Sequence, residues 1–327
     1  MVEAEQLPTT TPPVEQPRTS EPRKLVDIIV SQLETLRTHH RAVLETGAVE
    51  AIHKMRVTTR RLQASLDLLA REMKVRKLKR RLRNWRRKLS SVRNYDVFLE
   101  LIEREAASRG RTRRQQLELV KTILQEKRLQ RAAKVGRFLQ AINIDTIAIG
   151  LGLSGATVEP ASETMVIDEK RVAAYAAERL DQRLAEFQAL AALSHPTNNP
   201  AELHQLRIAA KRVRYLLEIV QEMGFGNASR ALTWLRTLQD RIGDWHDLEA
   251  LEEEIIAVVS APEFLKHHLA ESSQMLNAAA HLQKKKEALV SRLFPVRIPR
   301  YVEITSHRIA RALRRQSLRV APPHNND

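Results

Sequence analysis

Residues 52–63 read IHKMRVTTRRLQ and residues 203–214 read LHQLRIAAKRVR. The second stretch repeats the first at a constant offset of 151 residues: His53 with His204, Arg56 with Arg207, Arg60 with Lys211, Arg61 with Arg212. Twelve residues that agree in their apolar and basic positions point to a duplicated structural unit. What is duplicated is positive charge, so the implied ligand is negative.

Wound as an α-helix at 100° per residue, Ile52, Met55, Thr59, Leu62, Leu66 and Leu69 fall in a sector about 100° wide, the expected core face. His53, Arg56, Arg60 and Gln63 line one flank of that face. In the second copy Leu203, Leu206, Ala210, Val213, Leu217 and Val220 form the stripe, and His204, Arg207, Lys211 and Arg214 form the flank. No Asp or Glu lies between His53 and Leu66 or between His204 and Leu217. Like charges therefore stack at i,i+4, where an ordinary solvated helix interleaves opposite signs. Two copies that keep the same repulsion argue for an anion site.

The segment after the first copy extends the flank. Residues 71–93 hold twelve Lys or Arg against the single acid Glu72. Leu78, Leu82, Trp85, Leu89 and Val92 form its apolar stripe, with Lys79, Arg83, Arg86 and Arg93 beside it. The matching segment of the second half is sparser, with Leu235, Leu238 and Ile242 apolar and Arg236 in the place of Arg83. The pattern resumes in LSSVRNYDV (89–97) and IGDWHDLEA (242–250).

Around these copies the chain of 327 residues reads as helical from Arg23 onward. Five helices are expected near 24–46, 48–72, 74–92, 94–109 and 111–141. Five more fall near 168–194, 200–223, 227–242, 244–259 and 262–292, and a last one near 300–318. Residues 1–22 carry five of the thirteen prolines and read as a disordered tail. Residues 142–167, with Gly150, Gly152, Gly155 and Pro160, read as a long loop or short hairpin linking a first half, 23–141, to a second, 168–327. No signal peptide or apolar run of membrane-spanning length is visible, so a soluble chain is expected.

The net charge of +16 names the class of partner: nucleic acid, polyphosphate, an acidic membrane surface or a small multi-anion. Cysteine is absent, which excludes disulfides and thiolate metal sites. G-x-x-x-x-G-K-[ST] does not occur, and the glycine run Gly150/Gly152/Gly155, although spaced G-x-G-x-x-G, has no following Lys and no helix-opening context, so side chains rather than a glycine-lined backbone are expected to hold the anion. His53 and His204 lack a nucleophile or carboxylate partner in the motif and lack H-E-x-x-H spacing. They read as hydrogen-bond donors beside guanidinium groups. His246-Asp247 could belong to a metal-dependent phosphohydrolase, but the first half has Arg93-Asn94 in that place. No metal site or cofactor is expected. Aromatic residues are 4% of the chain, few for a protein that stacks nucleotide bases.

The duplicated H-x-x-R-[VI]-x-x-[RK]-R-[LV], the two later repeat segments and Arg214-Tyr215-x-x-Glu218 resemble the CHAD family, the conserved histidine α-helical domain, over most of residues 24–318. The resemblance implies an all-α fold of two similar antiparallel helical bundles related by a pseudo-twofold axis, with a basic central groove or channel. It implies binding of inorganic polyphosphate and association with polyphosphate granules in the cytoplasm, without enzymatic activity. Carried over by position, His53, Arg56, Arg60, His204, Arg207, Lys211 and Arg214 would line the channel, and the basic flank adds Lys79, Arg83, Arg86 and Arg236. Gln63, Ser90 and Asn94 depart from the family pattern, which would weaken the first-half site at that end. The E-x-E-x-K motif of the triphosphate-tunnel hydrolase fused to some relatives does not occur. The competing readings are a non-specific RNA- or DNA-binding protein and the His246/Asp247 phosphohydrolase.

Overall fold

The apolar stripes of the sequence are the buried faces of its helices. The computed structural model describes residues 23–107, 111–153, 167–193 and 200–318; the proline-rich tail and residues 154–166, half of the expected linker, lie outside the described residues. Among the described residues the fold is all-α, with eleven helices and no strand.

The first is α1 (Leu25–Thr46), whose Leu25, Ile28, Ile29, Leu33, Leu36 and Val43 are buried. It stops at Gly47, where φ is 58° and the amide bonds back to the Val43 carbonyl at 2.9 Å. A residue with a Cβ is strained in that left-handed cap. Next comes α2 (Val49–Leu68), which buries Ile52, Met55, Thr59, Leu62 and Leu66 as its period requires.

Expected helices at 74–92 and 94–109 are one continuous helix, α3 (Arg76–Ala107). No Gly or Pro interrupts residues 92–95, and the apolar period runs on through Val92, Tyr95, Phe98 and Ile102. After α4 (Arg111–Gln140), part of the expected linker is also helical. A short α5 (Asp145–Ile149) buries Ile147 and Ala148, and Ile144 and Leu151 beside it are buried too. Gly150 fits there because a Cβ would stand 2.7 Å from a Leu78 methyl.

The second half begins with α6 (Glu169–Leu193), capped by Asp168, whose carboxylate accepts the amides of Lys170 (2.9 Å) and Arg171 (3.2 Å). Then α7 (Pro200–Glu222) buries Leu203, Leu206, Ala210, Val213, Leu217 and Val220. Here again two expected helices merge: α8 (Ser229–Val259) runs straight through Gly243. The expected helix at 262–292 is instead divided at His268 into α9 (Pro262–His267) and α10 (Leu269–Leu293), and α11 (Arg300–Leu318) closes the described chain.

Packing partners follow the same order in both halves. α1 lies on α2, α2 on α3 and α3 on α4; α6 lies on α7, α7 on α8 and α8 on α10. The halves touch through α2 with α7, α3 with α8 and α4 with α10. Neither half keeps a core to itself. The larger core joins residues of α1 and α2 to those of α6, α7 and α11. The smaller one joins Tyr95, Phe98 and Ile102 of α3 and Leu117, Val120 and Leu124 of α4 to Leu251, Ile255 and Val258 of α8 and Met275 and Leu282 of α10. Each fully buried Leu or Ile contributes about 1.5–3 kcal/mol, so separating the halves would forfeit both cores. The long helices α3 and α8 thread the two cores and hold α2 and α7 side by side.

Candidate functional site

The two basic flanks meet where α2 and α7 touch, with α3 and α8 on either side. Burial of the apolar stripes fixes the rotation of each helix. His53, Arg56 and Arg60 are therefore carried at the edge of the core, and so are His204, Arg207, Lys211 and Arg214.

Their charges act on one another across the halves. Burial, then Arg60 and Arg93, push the Arg56 guanidinium down to about 9; Asp247 opposes and Arg207 adds. Burial, followed by Arg207, Arg60, Arg214 and Arg56, pushes the Lys211 amine down to about 6. Arg207 is lowered by burial and by Arg60, against Asp247 and Tyr215. Arg86 of α3 is lowered by burial, then by Arg60 and Arg83, with Tyr215 opposing. Arg60 thus neighbours Arg56, Arg86, Arg207 and Lys211, and the flanks form a single cluster. The Nε atoms of Arg56, Arg207 and Arg214 are buried and have no hydrogen-bond partner.

Both repeat histidines stand exposed at the edge of this cluster. His53 is lowered by partial burial and then by Arg93, with Arg56 and Arg60 adding. His204 is lowered by partial burial, then by Arg207 and Lys211. Its ring centroid lies 5.4 Å from that of His246. His246 is pushed down to about 4 by burial, Arg207, His204 and Lys211. It is uncharged at neutral pH.

The remaining expected residues are placed unevenly. Arg86 donates to Gln63 at 2.7 Å, so the residue that departs from the repeat aims a neighbouring cation. Arg83 is exposed one turn away. Arg214 lies over the Tyr215 ring, 4.6 Å from its centroid, and 3.7 Å from Glu218. Arg236 lies 3.4 Å from the same carboxylate, and Arg61 of α2 lies 3.8 Å from it. Lys79 is bonded to Asp67, which Arg183 of α6 reaches at 3.2 Å. Asp67 and Glu218 stand 151 residues apart, the repeat offset, and each takes a cation from the opposite half.

Three members fell outside the expected set: Arg93, His246 and Asp247. Arg93 was legible on the α3 flank. His246 and Asp247 were legible as a pair but not as neighbours of the basic cluster: burial raises Asp247, Arg207, Lys211 and Arg93 oppose, and Asp244 adds to the rise. Cations this close to His246 and Asp247 repel a metal ion. Among the described residues no three His, Asp or Glu side chains gather to hold one. Exposed stacking surfaces are also lacking here among the described residues, since Trp85, Trp245 and Tyr215 are buried and Trp234 packs against Phe187. Among the described residues no helix is long and apolar enough to cross a membrane.

The family model for the CHAD domain matches residues 27–255. The crystal structure of the CHAD domain from the plant Ricinus communis aligns with 86% of this chain and 89% of its own, at a TM-score of 0.56 and 20% identity. PptA from Streptomyces chartreusis aligns with 90% of this chain and 97% of its own, at a TM-score of 0.56 and 16% identity. These two likenesses are of fold. No curated protein matches the chain.

Proposed function

The chain belongs to the CHAD domain family, and from that premise we propose that it binds inorganic polyphosphate in the cluster between α2, α3, α7 and α8. The observation that carries this reading is Lys211. An amine ringed by Arg56, Arg60, Arg207 and Arg214 is pushed down to about 6. Such a ring is a poor structural device, because it stores repulsion. A linear polyanion relieves it.

Polyphosphate carries about one negative charge per unit along an unbranched chain. A line of fixed cations suits it, and no group is needed to read a base. Arg serves because its planar fork can contact phosphate oxygens in pairs and stays charged. Arg56, Arg60 and Arg86 form the first-half side of the path. Arg207, Lys211 and Arg214 form the second-half side. His53 and His204 donate from the edge, and Arg83 and Arg236 extend the path. Lys79, held by Asp67, belongs to its periphery. The matched packing order of the halves supports a groove with pseudo-twofold symmetry. Counterion release supplies much of the affinity, which falls steeply with salt as it does for nucleic acids.

In this reading the protein holds the polymer without cleaving it and associates with polyphosphate granules in the cytoplasm. The test is competition at fixed salt between long-chain polyphosphate and RNA of equal total charge. Polyphosphate should displace RNA. Equal competition would remove the basis of the assignment and leave a non-specific cation surface.

A further inference from the structure

We propose that Lys211 is a site of covalent acylation by acyl phosphates, the mixed anhydrides of a carboxylic acid with phosphoric acid. The inference rests on reading the surrounding cluster as a phosphate site and adds a reaction to it.

Lys211 is the amine at the centre of the cluster; Lys79, at its periphery, is held by Asp67. The counterpart of Lys211 in the first copy is Arg60, so the two halves differ at this position by an amine against a guanidinium. Holding a polyanion does not require the difference, since arginine does that at least as well. What lysine adds is a nitrogen that can lose its proton and attack carbon.

The surroundings suit such an attack. Lys211 is half-buried, so its amine is neither sealed in the core nor fully hydrated. Arg56 and Arg60 of α2 face it, as do Arg207 and Arg214 of its own helix. From α8, His246 and Asp247 lie within range of its charge. An amine that titrates at about 6 is mostly unprotonated at neutral pH. An ordinary lysine is unprotonated in only about one molecule in 3,000 at pH 7.

The step balances without a further reagent. An acyl phosphate seats its phosphate on the guanidinium groups, which brings its carbonyl carbon to the amine. The nitrogen lone pair attacks that carbon and a C–N bond forms. The C–O bond to phosphate breaks, and the electron pair leaves on the phosphate oxygen. The proton shed by nitrogen goes to the departing phosphate. The guanidinium groups stabilise the leaving group, which is why the anhydride must carry a phosphate. The product is a neutral amide. It takes away the amine that polyphosphate would protonate and fills part of the proposed polymer path, so acylation and polyphosphate exclude each other. Bound polyphosphate protects Lys211 twice, by occupying the path and by drawing a proton onto the amine.

The test uses the full chain at pH 7, incubated with acetyl phosphate, with acetylation of each lysine followed by mass spectrometry. A parallel sample receives an N-hydroxysuccinimide acetate ester, which has no phosphate. Both are repeated with long-chain polyphosphate, whose binding is measured in the same samples. With acetyl phosphate, Lys211 should react at least about tenfold faster than the exposed Lys170 and Lys284. Its lead should shrink with the ester, and polyphosphate should suppress it while sparing the other two. Reaction of Lys211 no faster than Lys170 and Lys284 overturns the inference. If polyphosphate still binds in that case, the acylation inference fails alone and the binding site stands. If Lys211 reacts fast with both reagents and polyphosphate neither binds nor protects, the phosphate site fails and takes the inference with it.

Discussion

Arg86 of α3 donates a 2.7 Å hydrogen bond to the side-chain oxygen of Gln63 on α2. Gln63 breaks the basic repeat, and its counterpart Arg214 is held differently, by Glu218 and over Tyr215. A neutral acceptor at position 63 does what a second guanidinium could not: it fixes Arg86 without repelling it. Gln63→Leu keeps the side chain's bulk and removes the acceptor. It should lower stability by about 1 kcal/mol, read from urea unfolding. Polyphosphate affinity should fall about two- to threefold as Arg86 loosens. An unchanged midpoint with unchanged binding would make the bond incidental.

Diffuse attraction and a built site differ in how charge removal acts. Arg56→Ala/Arg60→Ala deletes two cations from the centre of the cluster. Arg308→Ala/Arg311→Ala deletes two exposed cations from α11, which packs on α6 and α8. The first pair should weaken polyphosphate binding by at least tenfold. It should also flatten the slope of log affinity against log salt by about 1.5, on the scale known for nucleic acids. The second pair should change affinity less than about threefold. Equal losses would mean that the protein binds through its total charge.

The helical period made the central features readable. Residues at i, i+3 and i+4 betray both a core face and what stands beside it, so the stripes of α2 and α7 and their basic flanks are legible in the sequence alone. Breaks were misjudged where a local signal was weak. Arg93-Asn94 and Gly243 looked like helix ends, yet α3 and α8 run on because Tyr95, Phe98, Trp245 and Leu248 keep burying apolar surface. Partners distant in sequence left no trace at all. Nothing near Arg61 announces Glu218. Arg128, an ordinary surface cation by sequence, donates at 2.6 Å to Asp96, whose side chain is 1% exposed.

Gly243 is itself a test of the continuous α8. A Cβ built there meets nothing within 4 Å. The residue that matches it in α3 is Ser90, whose hydroxyl bonds to the Arg86 carbonyl at 2.7 Å inside an unbroken helix. Gly243→Ala should therefore raise stability by about 0.5–1 kcal/mol, by reducing the freedom of the unfolded chain. Thermal unfolding reads the gain. A loss of stability would mean that the backbone at 243 must bend.

The stored repulsion at Lys211 sets a pH dependence whose sign can be worked out. Its amine titrates at about 6 in the fold, against 10.5 for an ordinary lysine. Between those values the unfolded chain binds the more protons, so this group's contribution to stability grows as pH rises from about 6. Binding runs the other way. A polyanion favours the charged amine, so the complex takes up a proton and affinity falls as pH rises from 6 to 8. His53 and His204, both held below their usual value, add in the same direction near the lower end. Lys211→Met removes the titrating group while keeping an unbranched side chain. In the free protein it should flatten the rise in melting temperature between pH 6 and 9. In titrations with long-chain polyphosphate it should remove most of the difference between pH 6 and pH 8. A wild-type affinity that holds constant across that range would mean that Lys211 keeps its proton with or without ligand, and that the ring of arginines around it is less repulsive than its geometry requires.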